Sequence, residues 1–430
     1  MDILPAVARQ SRAMTNWFDS ARFGMFICWG HCSQRGLELS WPLVGWDLLP
    51  YNVPVEEYHS TAATFDPAQF DARDWARWAR RTGMQYAVFT AKHHDGFAMF
   101  HTRTSDYSIE HTPFKRDIVR EYVEAFRAEG LRVGLYFSLI DWHHPDYPAF
   151  TEADKPYKWE AWRRPAPEQW KRFVAAMFTQ VRELLTNYGQ IDLLWFDGGW
   201  ERSAEEWKSR ELERMIRELQ PAIVINDRLP GCVGYASPEQ AVPARPPAGI
   251  WETCLTMNES WGYNPRDRFY KSARFLVNTL QEAASKGGNL LLNVSPMADG
   301  TIPREQVERL DTISDWMARN GESIAGVLPG FESWQFYGPS TRRAVAAGAS
   351  ERIYLHLTTR PYETVTVRDV RVKQIRAVRV LGSGDELRFW PRIAAGQMFL
   401  NPDPTGALVI ETPESALDPI ATVIAIDFKS

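Results

Sequence analysis

The chain is poor in cysteine. Cys28, Cys32, Cys232 and Cys254 are the only four among 430 residues, and they lack zinc-finger spacing. That excludes a disulfide framework and points to reduced thiols. No apolar run approaches the roughly 18 residues of a membrane span, so no membrane partner is expected. A surplus of one charge is missing too. The formal net charge is -5 with no block of either sign, and no basic stripe marks a nucleic-acid partner. The opening MDILPAVARQSRAMTNWFDS lacks a basic segment followed by an apolar one, so no leader is read and a cytoplasmic location is expected. What the chain has in excess is tryptophan, 18 residues. Most serve a core. A few suit a sugar site, where flat rings meet the C–H face of a pyranose and polar tips bond its hydroxyls.

The first three quarters alternate two textures. Short apolar runs read as buried parallel strands over 23–29, 86–91, 133–139, 191–196, 222–226, 250–255 and 290–294. Amphipathic stretches between them read as helices over 72–81, 118–129, 168–186, 205–219, 268–285 and 304–319. Gly83, Gly130 and Gly189 follow three of these and suit C-terminal caps. This repetition predicts an α/β fold, an imperfect (β/α)8-like barrel over residues 1–337, with seven clear strands. A doubly wound sheet is the alternative, but no Gly-rich phosphate loop follows any strand. From 338 to 430 the pattern changes to short strands and Gly, Pro and Asp turns, which predicts a C-terminal β-sandwich. The Pro-rich piece 243–247 reads as a loop.

In a barrel of this kind the reactive groups sit where strands exit at their C-terminal ends. Those exits carry His31, His93, His94, Tyr136, Asp197, Arg228, Glu252 and Trp261, a set rich in carboxylates, imidazoles and aromatic rings. Asp197 closes the apolar strand Leu193-Leu194-Trp195-Phe196 and precedes two glycines, which let a ligand come close. Glycoside cleavage needs a second carboxylate to protonate the leaving oxygen. Glu239, in the loop after the next strand, and Glu252, just inside the strand beyond, are the candidates. Adjacent histidines on a strand point to opposite sides and bind one metal poorly, so His93 and His94 read as hydroxyl partners. Neither metal nor organic cofactor is expected.

Several motifs in order resemble glycoside hydrolase family 29, the α-L-fucosidases. They are Arg22-Phe23-Gly24-Met25-Phe26-Ile27 with Trp29-Gly30, Lys92-His93-His94-Asp95-Gly96-Phe97 and Gly134-Leu135-Tyr136-Phe137-Ser138. Then follow Leu194-Trp195-Phe196-Asp197-Gly198-Gly199-Trp200, Asn226-Asp227-Arg228, Ser260-Trp261-Gly262-Tyr263-Asn264 and the run from Ser285 to Val294. The resemblance covers essentially the whole barrel and implies a barrel followed by a β-sandwich. It implies Asp197 as nucleophile and Glu239, in Ser237-Pro238-Glu239-Gln240, as acid/base, with Glu252 as the second choice. It further implies sugar contacts from His93, His94 and Tyr136, a cation near the carboxylates at Arg228, and an aromatic wall at Trp261. Trp46 matches a first-loop tryptophan. The implied reaction is double displacement on terminal α-L-fucosides with a glycosyl-enzyme intermediate.

One position departs from the pattern. The family reads Phe-Ile-His-Trp-Gly at the first strand, and this chain reads Phe26-Ile27-Cys28-Trp29-Gly30. A thiol is a poor substitute for an imidazole as a hydroxyl partner. His31 is then the nearest residue able to compensate. An altered pocket at Cys28 leaves open a sugar related to fucose. Two further readings stand beside it: a carbohydrate-binding protein without catalysis, and a metal-dependent barrel hydrolase.

Overall fold

The computed structural model describes residues 16–46, 52–159, 163–343 and 351–429. Residues 1–15, on which most of the leaderless reading rests, lie outside that set. Seven strands form one parallel sheet: β1 (Phe23–Ile27), β2 (Tyr86–Lys92), β3 (Arg132–Ser138), β4 (Leu193–Asp197), β5 (Val224–Ile225), β6 (Glu252–Leu255) and β7 (Asn289–Val294). Their order across the sheet is β5-β4-β3-β2-β1-β7-β6. Six long helices alternate with them: α1 (Ala72–Arg81), α2 (Ile118–Ala128), α3 (Pro167–Thr186), α4 (Ser209–Leu219), α5 (Ala273–Ser285) and α6 (Arg304–Asn320). Asp71, Asp117 and Ser272 cap α1, α2 and α5 by accepting backbone N–H groups of the first turn. These boundaries follow the sequence reading closely, except that α4 and α5 begin four and five residues later than expected.

The gap between β5 and β6 is filled by chain that carries no apolar pattern. Residues 235–240 lie between the two strands and bond to both. Tyr235 N–H donates to Ile225 O at 3.2 Å and Asp227 N–H to Tyr235 O at 2.9 Å. On the other side Glu252 N–H donates to Ala236 O at 2.9 Å and Gln240 N–H to Cys254 O at 2.8 Å. The isolated pairings Asn226 with Tyr235, Ala236 with Trp251 and Glu239 with Cys254 are all parallel. This segment therefore takes the eighth place and closes the barrel, in chain order, without a helix on either side of it. The seven strands read from sequence are correct, and the irregularity is an eighth member with one pairing on the β5 edge and two on the β6 edge.

The C-terminal region is a sandwich. A five-stranded antiparallel sheet combines β8 (Val327–Pro329), β9 (Ser340–Arg343), β10 (Arg352–Leu357), β12 (Ile375–Val380) and β15 (Thr422–Phe428). A three-stranded sheet combines β11 (Thr364–Arg371), β13 (Phe389–Arg392) and β14 (Thr405–Glu411). β8 pairs with β9, so the first strand of this sheet starts upstream of residue 338. Strand alternation splits the larger sheet between two cores. Tyr354, Val423 and Ala425 join the barrel core, while Leu355, Ile424 and Ile426 face the smaller sheet.

Candidate active site

At the C-terminal ends of the barrel strands lies a cavity of about 560 Å³. Asp197, the last residue of β4, is on its wall and nearly buried. Gly198 follows at φ +73°, a left-handed turn that a side chain adopts only with strain, and the chain leaves the strand there. Both carboxylate oxygens of Asp197 are held. The Tyr136 hydroxyl donates to Oδ2 at 2.9 Å, and Arg228 Nη1 donates to Oδ1 at 3.2 Å. Burial, followed by the charge of Asp197, keeps Tyr136 well above the ordinary phenol range, so it remains a donor.

Arg228 joins the two candidate catalytic groups. Its Nη2 donates to Glu239 Oε2 at 2.9 Å while Nη1 holds Asp197. Ser237 fixes the same guanidinium through its hydroxyl and carbonyl oxygens, both at 3.2 Å. The Trp195 ring lies beneath it at 4.5 Å. Burial alone would lower its pKa, but the attraction of Asp197, with that of Cys254 and Glu239, outweighs burial and raises it above the usual arginine value. Glu239 itself is exposed at the rim, placed there by the pairing of the 235–240 segment with Cys254.

His93 lines the cavity, stacked on Tyr136 with ring centroids 5.5 Å apart, and its Nδ1 meets the Ser40 hydroxyl at 2.5 Å. His94 lies behind it. The Ser138 hydroxyl donates to Ile140 O at 2.9 Å, so its oxygen accepts from His94 Nδ1 at 2.7 Å. That fixes the His94 proton on Nδ1 and leaves Nε2 as a bare acceptor, buried without a partner and 3.8 Å from Asp197 Oδ2. Burial first, then the mutual charge of the pair for His93, holds both imidazoles at about 3 and hence neutral. The two rings are 4.2 Å apart because both follow the end of β2, so the opposite-sides rule does not govern them. Among the described residues, no group of three or more His, Cys, Asp or Glu has the arrangement of a metal site.

Cys28, Trp46 and Trp261 also line the cavity. Trp261 packs edge-on against Phe26 at 5.9 Å, and Trp46 stacks on Trp41 at 6.1 Å. Three candidates do not line the cavity: His94, which lies behind His93, and His31 and Glu252. His31 turns away in a short 3-10 helix after Gly30, fully buried. Its Nδ1 meets Thr61 Oγ1 at 2.5 Å and its Nε2 meets the Tyr107 hydroxyl at 2.7 Å. It does not line the cavity and compensates for nothing at Cys28. Glu252 lies below the cavity floor, fully buried, two residues nearer the bottom of the barrel than the Cys254 that pairs with Glu239.

A family model for α-L-fucosidase matches residues 5–322. This chain belongs to the α-L-fucosidase family. Plasma α-L-fucosidase of Rattus norvegicus is 32% identical over 342 residues, 73% of this chain and 71% of its own. Alpha-L-fucosidase of Dictyostelium discoideum is 30% identical, covering 74% of this chain and 73% of its own. Among solved structures, α-L-fucosidase isoenzyme 1 from Paenibacillus thiaminolyticus is 36% identical, with a TM-score of 0.83 over 98% of this chain and 100% of that one. An α-L-fucosidase of Bacteroides thetaiotaomicron, trapped as a covalent intermediate with 2-fluoro-fucosyl fluoride, superposes with a TM-score of 0.80 at 26% identity, covering 97% of this chain and 96% of that one.

Against that family background, several wall residues went unread in the sequence. Trp41, Tyr157, Trp195 and Trp200 all line the cavity. The Tyr157 hydroxyl accepts from Trp200 Nε1 at 3.1 Å and donates to buried Glu201 at 2.5 Å. Glu38 accepts from the backbone N–H groups of Trp261 at 2.6 Å and Gly262 at 3.0 Å, pinning that wall. Burial pushes Glu38 up to about 7 despite those two bonds. The signal for Trp195 was present, since it is two residues before Asp197 and shares its face of β4. Tyr157 and Glu38 come from loops with no periodicity to point inward.

Proposed function

We propose that this enzyme hydrolyses terminal α-L-fucosides with retention, through a glycosyl-enzyme intermediate on Asp197 and with Glu239 as acid/base. Family membership supports the activity and its small-molecule glycoside substrate. The relative trapped as a covalent intermediate supports double displacement. The observation that carries the residue roles is the single guanidinium that touches both carboxylates at the cavity wall. Retaining enzymes need two carboxyl groups only about 5 Å apart, one to attack and one to protonate.

The arrangement accounts for a change of role at Glu239. Asp197 attacks the anomeric carbon as an anion, oriented by Tyr136 and Arg228. Glu239 gives its proton to the departing oxygen. Once Asp197 is esterified its charge is gone, and the attraction of Arg228 falls on Glu239 alone. That favours ionised Glu239, which then takes a proton from water as the water attacks the intermediate. His93, the imidazole on the cavity wall, meets a sugar hydroxyl, and Trp261 and Phe26 supply an apolar wall. Proton NMR of early product from an aryl α-L-fucoside tests the proposal. The α-anomer of the free sugar must appear first, before mutarotation. Early β-anomer means inversion and removes the covalent step.

A second reading concerns the sugar. Cys28 is on the cavity wall and His31 is not, so one wall position offers a thiol in place of a strong hydroxyl partner. A fucose-related glycone altered at one hydroxyl fits that wall.

A further inference from the structure

Glu252 is an ionisable group buried at the centre of the barrel, outside the cavity and without a part in the steps above. Three donors from three different elements converge on it. Tyr86 O–H on β2 donates to Oε2, Trp195 Nε1 on β4 donates to Oε1 at 3.0 Å, and Tyr235 O–H in the closing segment donates to Oε1 at 3.1 Å. The bond to Trp195 matters most for the site. The indole carries Arg228 over its ring at 4.5 Å and has Tyr136 stacked on it at 5.5 Å with planes 20° apart. Those two residues hold the two oxygens of Asp197. His93 continues the stack on the far side of Tyr136.

We propose that Glu252 is a positioning residue: by fixing the Trp195 indole it fixes Tyr136 and Arg228, and through them the orientation and ionisation of Asp197. The proposal rests on the reading of Asp197 as nucleophile. An indole N–H in a closed interior needs an acceptor, and without one the ring rotates or admits water. Either motion disturbs the cation held over the ring and the phenol stacked on it. The groups facing Glu252 are Tyr86, Trp195, Tyr235, Cys254 and the charge of Arg228. Burial pushes Glu252 up to about 7 in spite of three hydrogen bonds, so its acceptor oxygens persist in either protonation state while its charge does not.

The acid limb of kcat/KM, which reports ionisation in the free enzyme, tests the relay. Glu252→Met and Trp195→Phe are compared with Glu252→Gln, whose amide oxygen still accepts from Trp195. Glu252→Met and Trp195→Phe are expected to move the acid limb up by about half a unit or more and to lower kcat more than they raise KM. Glu252→Gln is expected to leave the limb in place, because Glu252, pushed up to about 7, is already neutral on the acid side and the amide oxygen still accepts from Trp195. Trp195→Phe leaves Glu252 with both tyrosines, so it carries the test if Glu252→Met does not fold. An acid limb unmoved in Trp195→Phe and in any folded Glu252→Met overturns the relay, whatever happens to kcat. So does a Glu252→Gln enzyme that fails selectively on poor leaving groups, which would make Glu252 the acid. If Asp197→Gly keeps activity, the nucleophile assignment falls instead. If that variant is inactive and rescued by azide, an unmoved limb condemns the relay alone.

Discussion

Cys28 is the residue whose environment bears most directly on which sugar fits. It follows β1, is nearly buried, and stands on the cavity wall with Phe26 and Cys254. Burial raises its thiol well above the ordinary range, so it acts as a small, weakly polar surface rather than a nucleophile. An imidazole there would add one good hydroxyl partner. One net hydrogen bond is worth about 1 kcal/mol, or roughly fivefold. Cys28→His is therefore expected to change the kcat/KM ratio between L-fucosides and analogues altered at one ring hydroxyl by about that factor or more. A panel of nitrophenyl glycosides measures it, and unchanged ratios in a folded variant would make Cys28 a packing residue. His31→Ala, by contrast, should lower thermal stability and leave the ratios alone, since His31 bonds Thr61 and Tyr107 behind the wall. Asp197 could be read from sequence because a carboxylate ending an apolar strand before two glycines has few structural uses. His31 was named for its nearness in sequence, which does not show that the chain turns into a 3-10 helix after Gly30 and carries the ring away.

At the scale of elements, the segment 235–240 does two things at once. It closes the barrel between β5 and β6, and it presents Glu239 at the rim. Its sequence, Tyr-Ala-Ser-Pro-Glu-Gln, has no alternation and contains a proline, so no strand was legible there. β13 was hidden for a similar reason: Phe389-Trp390-Pro391-Arg392 contains a proline, lies at a sheet edge and leaves three of its four side chains exposed. The helices were the more legible elements, because a 3.6-residue stripe against the barrel is a strong pattern. Gly234 sets the entry of the closing segment. A Cβ there would come within 2.1 Å of Asn226 O and 2.6 Å of Asp227 N, both backbone atoms. Gly234→Ala must therefore push the segment off β5 and shift Glu239. It is expected to reproduce the signature of Glu239→Ala. Turnover of glycosides with poor leaving groups falls by about 10² or more, and activated aryl glycosides, which depart without protonation, lose far less. A leaving-group series on both variants checks this. Equal losses across the series in Glu239→Ala would remove Glu239 as the acid.

In the whole molecule, the sandwich is fastened to the barrel rather than appended to it. Trp316 on α6 donates to Ala421 O at 2.8 Å, and Arg319 pairs with Asp418 at 2.9 Å. Tyr354, Val423 and Ala425 lie in the barrel core itself. The catalytic end is built from residues scattered from Cys28 to Trp261, delivered by several strand exits and by loops, and only barrel closure brings Asp197, Arg228 and Glu239 together. The account as a whole stands on Asp197. Its side chain ends a strand and packs little apolar surface, so Asp197→Gly should still fold cooperatively and lose turnover by about 10³ or more. The most direct measurement is azide rescue of that variant with an activated aryl α-L-fucoside. The account predicts restored cleavage and a β-L-fucosyl azide, inverted because the small anion attacks from the side the carboxylate has vacated. Near-normal hydrolysis by Asp197→Gly without azide, or an azide product of retained configuration, would contradict it.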